Sequence, residues 1–306
     1  MTIVKKEVLS SNGKEKLKGI VYLPECGAEN AAGYFQVVHG MCEHKGRYNF
    51  LMTEMAKLGY IVFAYDHLGH GDTALTPEAH GYIADNGGWK LLVDDVTVFY
   101  NAVKEEYGEK GKYVLFGHSM GSFIVRLAVE YGAKPDSLIV CGTGGPNPAA
   151  GAGLAMCKMV KAARGPHHVS NVIGNLAFGT YNQKFKAEND PQSWLTKDLE
   201  VREAYRNDPY CTFPFQVSAM QDLITLQSLS NKSKWFDNFP KALPVLFIAG
   251  ADDPVGSYGA GVRKVVDELV KRGLKPRIKI YENCRHEILN DTCKNEVISD
   301  ITEFIK

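Results

Sequence analysis

The chain reads as an α/β protein: a mostly parallel central sheet with helices on both faces and an inserted, mainly helical cap. Three observations carry that reading. Short apolar runs, some without polar alternation, alternate along the chain with segments whose apolar residues recur at helical spacing. One run, Tyr113-Val114-Leu115-Phe116, passes through Gly117-His118-Ser119-Met120-Gly121 directly into a helical pattern. From about Gly145 to about Leu243 the alternation stops, and aromatic residues and helical pieces replace it. The expected division is therefore a first core part over 1–144, a cap over 145–243, and a second core part over 244–306.

Taken in order, Ile3–Leu9 and Leu17–Leu23 are strand-like runs joined by Ser11-Asn12-Gly13-Lys14, which predicts an opening hairpin of antiparallel edge strands. Phe35–Val38 is a buried strand that ends at His39-Gly40-Met41. A helix over Tyr48–Leu58 follows and Gly59 stops it. Tyr60–Tyr65 is a strand ending in Asp66-His67-Leu68-Gly69-His70-Gly71. Trp89, Leu92, Val96, Phe99, Val103 and Tyr107 mark one face of a long helix. After Tyr113–Phe116, the residues Phe123, Ile124, Leu127, Ala128 and Tyr131 mark the next helix. Leu138–Cys141 and Val245–Ile248 are further buried strands, the second followed by a helix carrying Val262, Val265, Val266 and Leu269. Arg277–Tyr281 is the last strand, and Val297, Ile298, Ile301 and Phe304 mark a closing helix.

A chain of 306 residues is long enough to bury a sizeable core. Thirty-five basic residues balance thirty-five acidic ones, so no global field favours nucleic acid or an anionic membrane. The longest uncharged stretch, Leu138–Cys157, holds Pro146, Pro148 and several glycines, which argues against a membrane-spanning helix. Lys5, Lys6 and Glu7 interrupt the start before an apolar run develops, so no secretory signal is read there and a cytoplasmic location is expected. Seven cysteines without a C-x-x-C pair are expected to be reduced.

Gly117-x-Ser119-x-Gly121 between a strand and a helix has the form of a nucleophile elbow. Side chains at Gly117 and Gly121 would collide with the adjoining strand and helix, and the first N–H groups of the helix point toward Ser119, where an oxyanion would form. A nucleophilic serine needs a base and an orienter, which follow an elbow in the order acid, then histidine. Only His286, of nine histidines, follows the last strand. Asp252 and Asp253 compete beyond the strand ending at Ile248; Asp253 is preferred because the usual register is glycine, two residues, acid, and because Pro254 stiffens the backbone beside it. The loop after Val38 should supply the second oxyanion donor, so the expected amides are those of Met41 and Met120. His67 and His70 lack an accompanying thiol or acidic cluster, and neither metal nor cofactor is expected.

The His39–Tyr48 run, Tyr65-Asp66-His67-Leu68-Gly69-His70-Gly71, the elbow, and the contexts of Asp253 and His286 together resemble the monoacylglycerol lipase and lysophospholipase branch of the serine α/β-hydrolases. The resemblance spans nearly the whole chain and is weakest over the cap. Cys42 fills a place that is often small, and Asp72-Thr73 stands where many relatives carry a basic residue and serine. It implies Ser119 as nucleophile, Asp253 and His286 as partners, Met41 and Met120 as oxyanion donors, and hydrolysis of single-chain carboxylic esters through an acyl-enzyme. The aromatic residues Phe178, Tyr181, Phe185, Trp194, Tyr205, Tyr210, Phe213 and Phe215 are expected to line an apolar tunnel or to form the cap's own core. Glu43 and Arg47 are expected at its polar end, as substrate-binding residues or as a structural ion pair. The partner is then a small ester, with no nucleic acid and with room for transient contact between the cap and a membrane surface. A serine peptidase, a small-ester carboxylesterase and a ligand receptor that keeps the triad as a pocket are the alternatives.

Overall fold

The structure, a computed structural model, describes residues 1–306. Strands β1 (Thr2–Leu9) and β2 (Lys16–Leu23) pair antiparallel, with Thr2 opposite Leu23. Their turn is closed by Asn12, whose side-chain oxygen accepts the N–H groups of Lys14 and Glu15, and by Gly13 at a positive φ of 70°. Next come β3 (Gly33–Val38), α1 (Asn49–Lys57), β4 (Tyr60–Tyr65), α2 (Gly88–Tyr107), β5 (Lys112–His118), α3 (Met120–Glu130) and β6 (Ser137–Cys141). Five helices separate β6 from β7: α4 (Ala150–Arg164), α5 (Asn171–Phe178), α6 (Leu199–Asn207), α7 (Val217–Leu229) and α8 (Ser233–Asn238). The chain ends with β7 (Val245–Gly250), α9 (Ala260–Lys271), β8 (Arg277–Tyr281) and α10 (Lys294–Ile305).

All eight strands form one sheet in the order β1-β2-β4-β3-β5-β6-β7-β8. The first two pairings, β1 with β2 and β2 with β4, are antiparallel; from β4 to β8 every pairing is parallel. The predicted hairpin thus lies at one edge. The central strands β3, β4, β5 and β6 are buried on both faces, apart from Lys112 at the start of β5, which is why they read as unbroken apolar runs. Phe35, Val37, Phe116 and Ile139 face one layer with Leu51, Met55, Val297 and Ile301 of α1 and α10. Tyr34, Val38, Leu115 and Val140 face the other, packed with Leu92, Val96, Ile124 and Val265 of α2, α3 and α9.

The interval between β6 and β7 contains no strand, and its parts are unequal. Helices α4 and α5 bury only Ala150, Cys157 and Ile173, whereas α7 packs on α2, α3 and α4, and α8 packs on α3. Trp235 of α8 is buried beneath the Arg126 guanidinium of α3, at 4.3 Å, and donates its indole N–H to the Arg126 carbonyl at 2.7 Å. The later part of the interval is thereby stapled to the helix that follows Ser119.

The expectation of uniformly reduced thiols is corrected at one place. Cys284 and Cys293, on either side of the His286 loop, form a disulfide, while Cys26 is exposed and Cys42, Cys141, Cys157 and Cys211 are buried free thiols. Chain folding at the end of β8 brings this pair together, which spacing alone does not encode.

Candidate active site

Ser119 sits at the C-terminal end of β5, where β3 and β5 neighbour each other in the middle of the sheet. Its backbone holds φ 53° and ψ −118°, a conformation L-residues rarely adopt, and its N–H donates to Cys141 O at 3.0 Å. Two glycines allow this elbow. A Cβ at Gly117 would lie 2.4 Å from Gly121 O, and one at Gly121 would lie 2.1 Å from Val38 O. The tight strand-to-helix turn lifts the serine hydroxyl clear of the sheet, and Ser119 is only half-buried while its neighbours are buried.

The loop after β8 returns to that point. His286 Nε2 lies 2.9 Å from Ser119 Oγ, and His286 Nδ1 lies 3.0 Å from Asp253 Oδ2. Asp253 is fully buried, and its other oxygen accepts the Val255 N–H at 2.8 Å, so the carboxylate has one orientation. Asp252 instead pairs with Lys184 and Lys197. The interval braces the histidine loop: the Glu287 N–H donates to Leu195 O at 2.8 Å, and the Trp194 ring lies 5.1 Å from the His286 ring. Arg285 reaches Glu188 and the Ser193 carbonyl. These supports were missed in the sequence, because contact between residues about ninety positions apart leaves no local signal.

Met41 lies in the loop after β3, and its N–H donates to no other part of the chain. Met120 is the first residue of α3, so its N–H has no intrahelical acceptor. Both residues line the cavity beside Ser119.

Beneath them lies a buried polar network that includes the two residues expected at the polar end of the substrate site. The Glu43 carboxylate accepts the Gly40 N–H and the Tyr48 hydroxyl, the latter at 2.7 Å, and lies 3.3 Å from His118 Nδ1. Arg47 pairs with Glu287, approaches Glu43 at 3.6 Å and stacks 4.8 Å over the Tyr205 ring. Glu43 touches the cavity wall; its Oε1 makes all three contacts to Gly40, Tyr48 and His118, while Oε2 meets only Arg47 Nε, at 3.6 Å, and Arg47 does not line the cavity. Burial opposes the charge on each member. The His118 hydrogen bond and the His118 and Arg47 charges nevertheless hold the Glu43 carboxyl below the usual carboxylate range, and Glu43 raises His118 above the usual imidazole value. His118 also contacts the His286 carbonyl, at 3.3 Å, so one network joins the Met41 loop, the elbow and the histidine loop.

His39, His67 and His70 form a second buried group behind the Met41 loop. The His67 N–H donates to His39 Nε2 at 3.0 Å, and His67 Nε2 contacts His39 O at 3.1 Å. Burial lowers His67 to about 3 and His70 to about 4. These rings are neutral supports for the loop.

A cavity of about 760 Å³ opens from Ser119 under α4, α5 and α7. Met41, Ser119, Met120 and His286 lie at its reactive end, and Met156, Ile173, Leu176, Leu223 and Ile224 make the far walls apolar. Among the expected aromatics, Phe178, Tyr181, Trp194, Tyr205 and Phe213 line it. Phe185 lies under Arg285, Tyr210 bonds Asp72, and Phe215 packs on His70. The only carboxylates on the wall are Glu43 and Glu287, both paired with Arg47.

A mostly parallel sheet with a strained serine between a strand and a helix, and an acid and a histidine arriving from the ends of β7 and β8, defines the α/β-hydrolase class. Residues 29–293 match the family model described as serine aminopeptidase, S33, and the chain belongs to that family. It is 27% identical over 282 residues to a monoacylglycerol lipase of Mycolicibacterium smegmatis, covering 89% of this chain and 88% of the relative. Human monoglyceride lipase is 27% identical over 274 residues, covering 88% and 80%. Among solved structures, a highly thermostable carboxyl esterase from Bacillus coagulans in complex with glycerol aligns with a TM-score of 0.91 at 32% identity, covering 100% and 98%. A soluble variant of monoglyceride lipase from Saccharomyces cerevisiae shares the fold at a TM-score of 0.74 and 19% identity, covering 96% and 92%.

Proposed function

We propose that this chain hydrolyses carboxylic esters of single acyl chains, of the monoacylglycerol or lysophospholipid type, through an acyl-enzyme on Ser119. The observation that carries the reading is the continuity of the His286-bonded Ser119 hydroxyl with one long apolar cavity. His286 Nε2 takes the Ser119 proton as Oγ attacks the ester carbonyl, and Asp253 holds the Nδ1 proton and stabilises the imidazolium. The Met41 and Met120 amides receive the oxyanion. As the intermediate collapses, His286 gives its proton to the departing alcohol. Water activated by the same histidine then releases the fatty acid. Glu43 and Arg47 act as supports that hold the Met41 loop against the elbow and the histidine loop, and do not grip substrate. The helices of 145–243 form the cap that shapes the acyl site.

The family description raises a peptidase reading, which needs a free carboxylate for a substrate amino terminus. Both carboxylates on the wall are already ion-paired, Glu43 with His118 and Arg47 and Glu287 with Arg47, and this favours the ester. Each buried methylene contributes about 0.8 kcal/mol, so two added carbons should raise kcat/KM by up to ~15-fold until the cavity fills. The test is kcat/KM along a saturated monoacylglycerol series and on matching aminoacyl amides. A rise followed by a plateau supports the reading; a profile flat in chain length points to a small-ester hydrolase, and faster amide cleavage to a peptidase.

A further inference from the structure

Where Cys211 lines the cavity, three side chains of different ligand type converge. His44 Nε2, Asp208 Oδ2 and Cys211 Sγ all lie within 4.8 Å of one another, with the first two 2.8 Å apart. His44 comes from the loop that carries Met41. Asp208 and Cys211 come from the turn after α6, where the Cys211 N–H donates to Asp208 O at 3.0 Å and sets both side chains on the same side. Cys211 is buried and lines the cavity, whereas His44 and Asp208 are partly open to solvent.

We propose that His44, Asp208 and Cys211 form a regulatory site for a thiophilic divalent cation of the zinc type. Imidazole, carboxylate and thiolate are the donors such an ion prefers, and three protein ligands leave one position for water. Burial pushes the Cys211 thiol up, and the Arg47 guanidinium, with Nη1 3.8 Å from the sulfur, offsets this only in part, so it is the metal that must displace the proton. Coordination forms the metal–sulfur bond as the Cys211 proton passes to solvent. Two contacts are exchanged for coordination. His44 Nδ1 accepts the Gly46 N–H at 3.3 Å, so as the ring proton moves from Nε2 to Nδ1 that long contact is given up, and the 2.8 Å hydrogen bond between His44 Nε2 and Asp208 Oδ2 is replaced by a bond from each atom to the metal.

The consequence follows from where the ligands sit. The Met41 loop already touches this turn region through Tyr205 Oη on Cys42 O, at 3.0 Å, and Cys42 Sγ on Phe213 O, at 3.1 Å. A metal bond at the same junction fixes the cavity wall against the loop expected to hold the oxyanion donor, and turnover slows. Sequence pattern directs attention to His67 and His70, but the effective set joins residues 164 positions apart.

The test uses the whole protein in a Cys26→Ser background, to remove the exposed thiol. Co²⁺ titration should give one thiolate-to-metal charge-transfer band per chain. The band should vanish in Cys211→Ser, and binding should weaken by at least ~10-fold in Asp208→Asn and His44→Gln, which alter partly exposed residues and remain informative where the buried variant fails to fold. Zn²⁺ should inhibit ester turnover, with the inhibition constant raised to a similar degree in Asp208→Asn. No band, a band that survives in folded Cys211→Ser, unchanged Co²⁺ affinity in both partly exposed variants, or equal zinc inhibition in Asp208→Asn overturns the proposal. The spectroscopic arm is read without substrate, so failure of the ester reading is distinguishable from failure of the site.

Discussion

Replacing Asp253 by asparagine keeps the size of the side chain and changes one property of the atom beside His286. In the parent protein Oδ2 accepts from Nδ1 at 3.0 Å, and Oδ1 accepts the Val255 N–H at 2.8 Å. The Val255 contact requires the oxygen of the introduced amide to take the Oδ1 place, which turns its NH₂ toward His286. Nδ1 must then be the acceptor, the proton moves to Nε2, and Nε2 can no longer receive the proton of Ser119. An equivalent tautomer error in a related triad costs about 10⁴ in kcat, or about 5 kcal/mol of transition-state stabilisation. Asp252→Asn is the matched control, because it removes only surface pairs with Lys184 and Lys197, interactions of roughly 0–1 kcal/mol. Steady-state kcat on a p-nitrophenyl ester, with circular dichroism to verify folding, should separate the two variants by at least ~10³-fold. Equal losses, or a larger loss in Asp252→Asn, would refute the geometric argument.

Two further outcomes follow from the buried networks. Glu43→Gln leaves Arg47 with Glu287 alone and strips His118 of its carboxylate; breaking a buried pair in this way costs about 3–5 kcal/mol, readable as a lower denaturant midpoint with kcat falling alongside it, and an unchanged midpoint would show that the network carries no load. His67 and His70 titrate near 3 and 4 in the folded chain and near the ordinary imidazole value when unfolded, so the unfolded state binds more protons in the acid range and stability must fall as pH falls. From about pH 6.5 to about pH 5 the two together remove roughly 3 kcal/mol, and denaturant midpoints that stay level across this window would contradict the buried, neutral assignment.

Much of the fold is legible because its strands are written as unbroken apolar runs and its helices as one-sided stripes. Val245–Ile248 and Trp89–Tyr107 announce β7 and α2 with little ambiguity, since the buried faces of a parallel sheet and of the helices on it leave strong periodic signals. The elbow is legible for a different reason: only glycine fits beside Val38 O and Gly121 O, so steric necessity is visible in the sequence itself. The interval from β6 to β7 is harder. Its short helices bury few residues each, and α7 owes its burial to α2 and α3 rather than to its own pattern. The surroundings of Glu43 were least accessible, because His118 and Glu287 lie 75 and 244 positions away and nothing local distinguishes a charge that meets substrate from one that is neutralised inside the protein. The ordering of the supporting residues Glu188, Ser193 and Leu195 around the histidine loop is likewise a tertiary property.

The central claim is that one serine, Ser119, carries the acyl group. The direct measurement is intact mass and peptide mapping after reaction with an alkyl fluorophosphonate. The account predicts a single adduct per chain, located on Ser119, formed at a rate that falls with Asp253→Asn, and absent from folded Ser119→Ala together with ester turnover. An adduct on another serine, or undiminished turnover in Ser119→Ala, would contradict it.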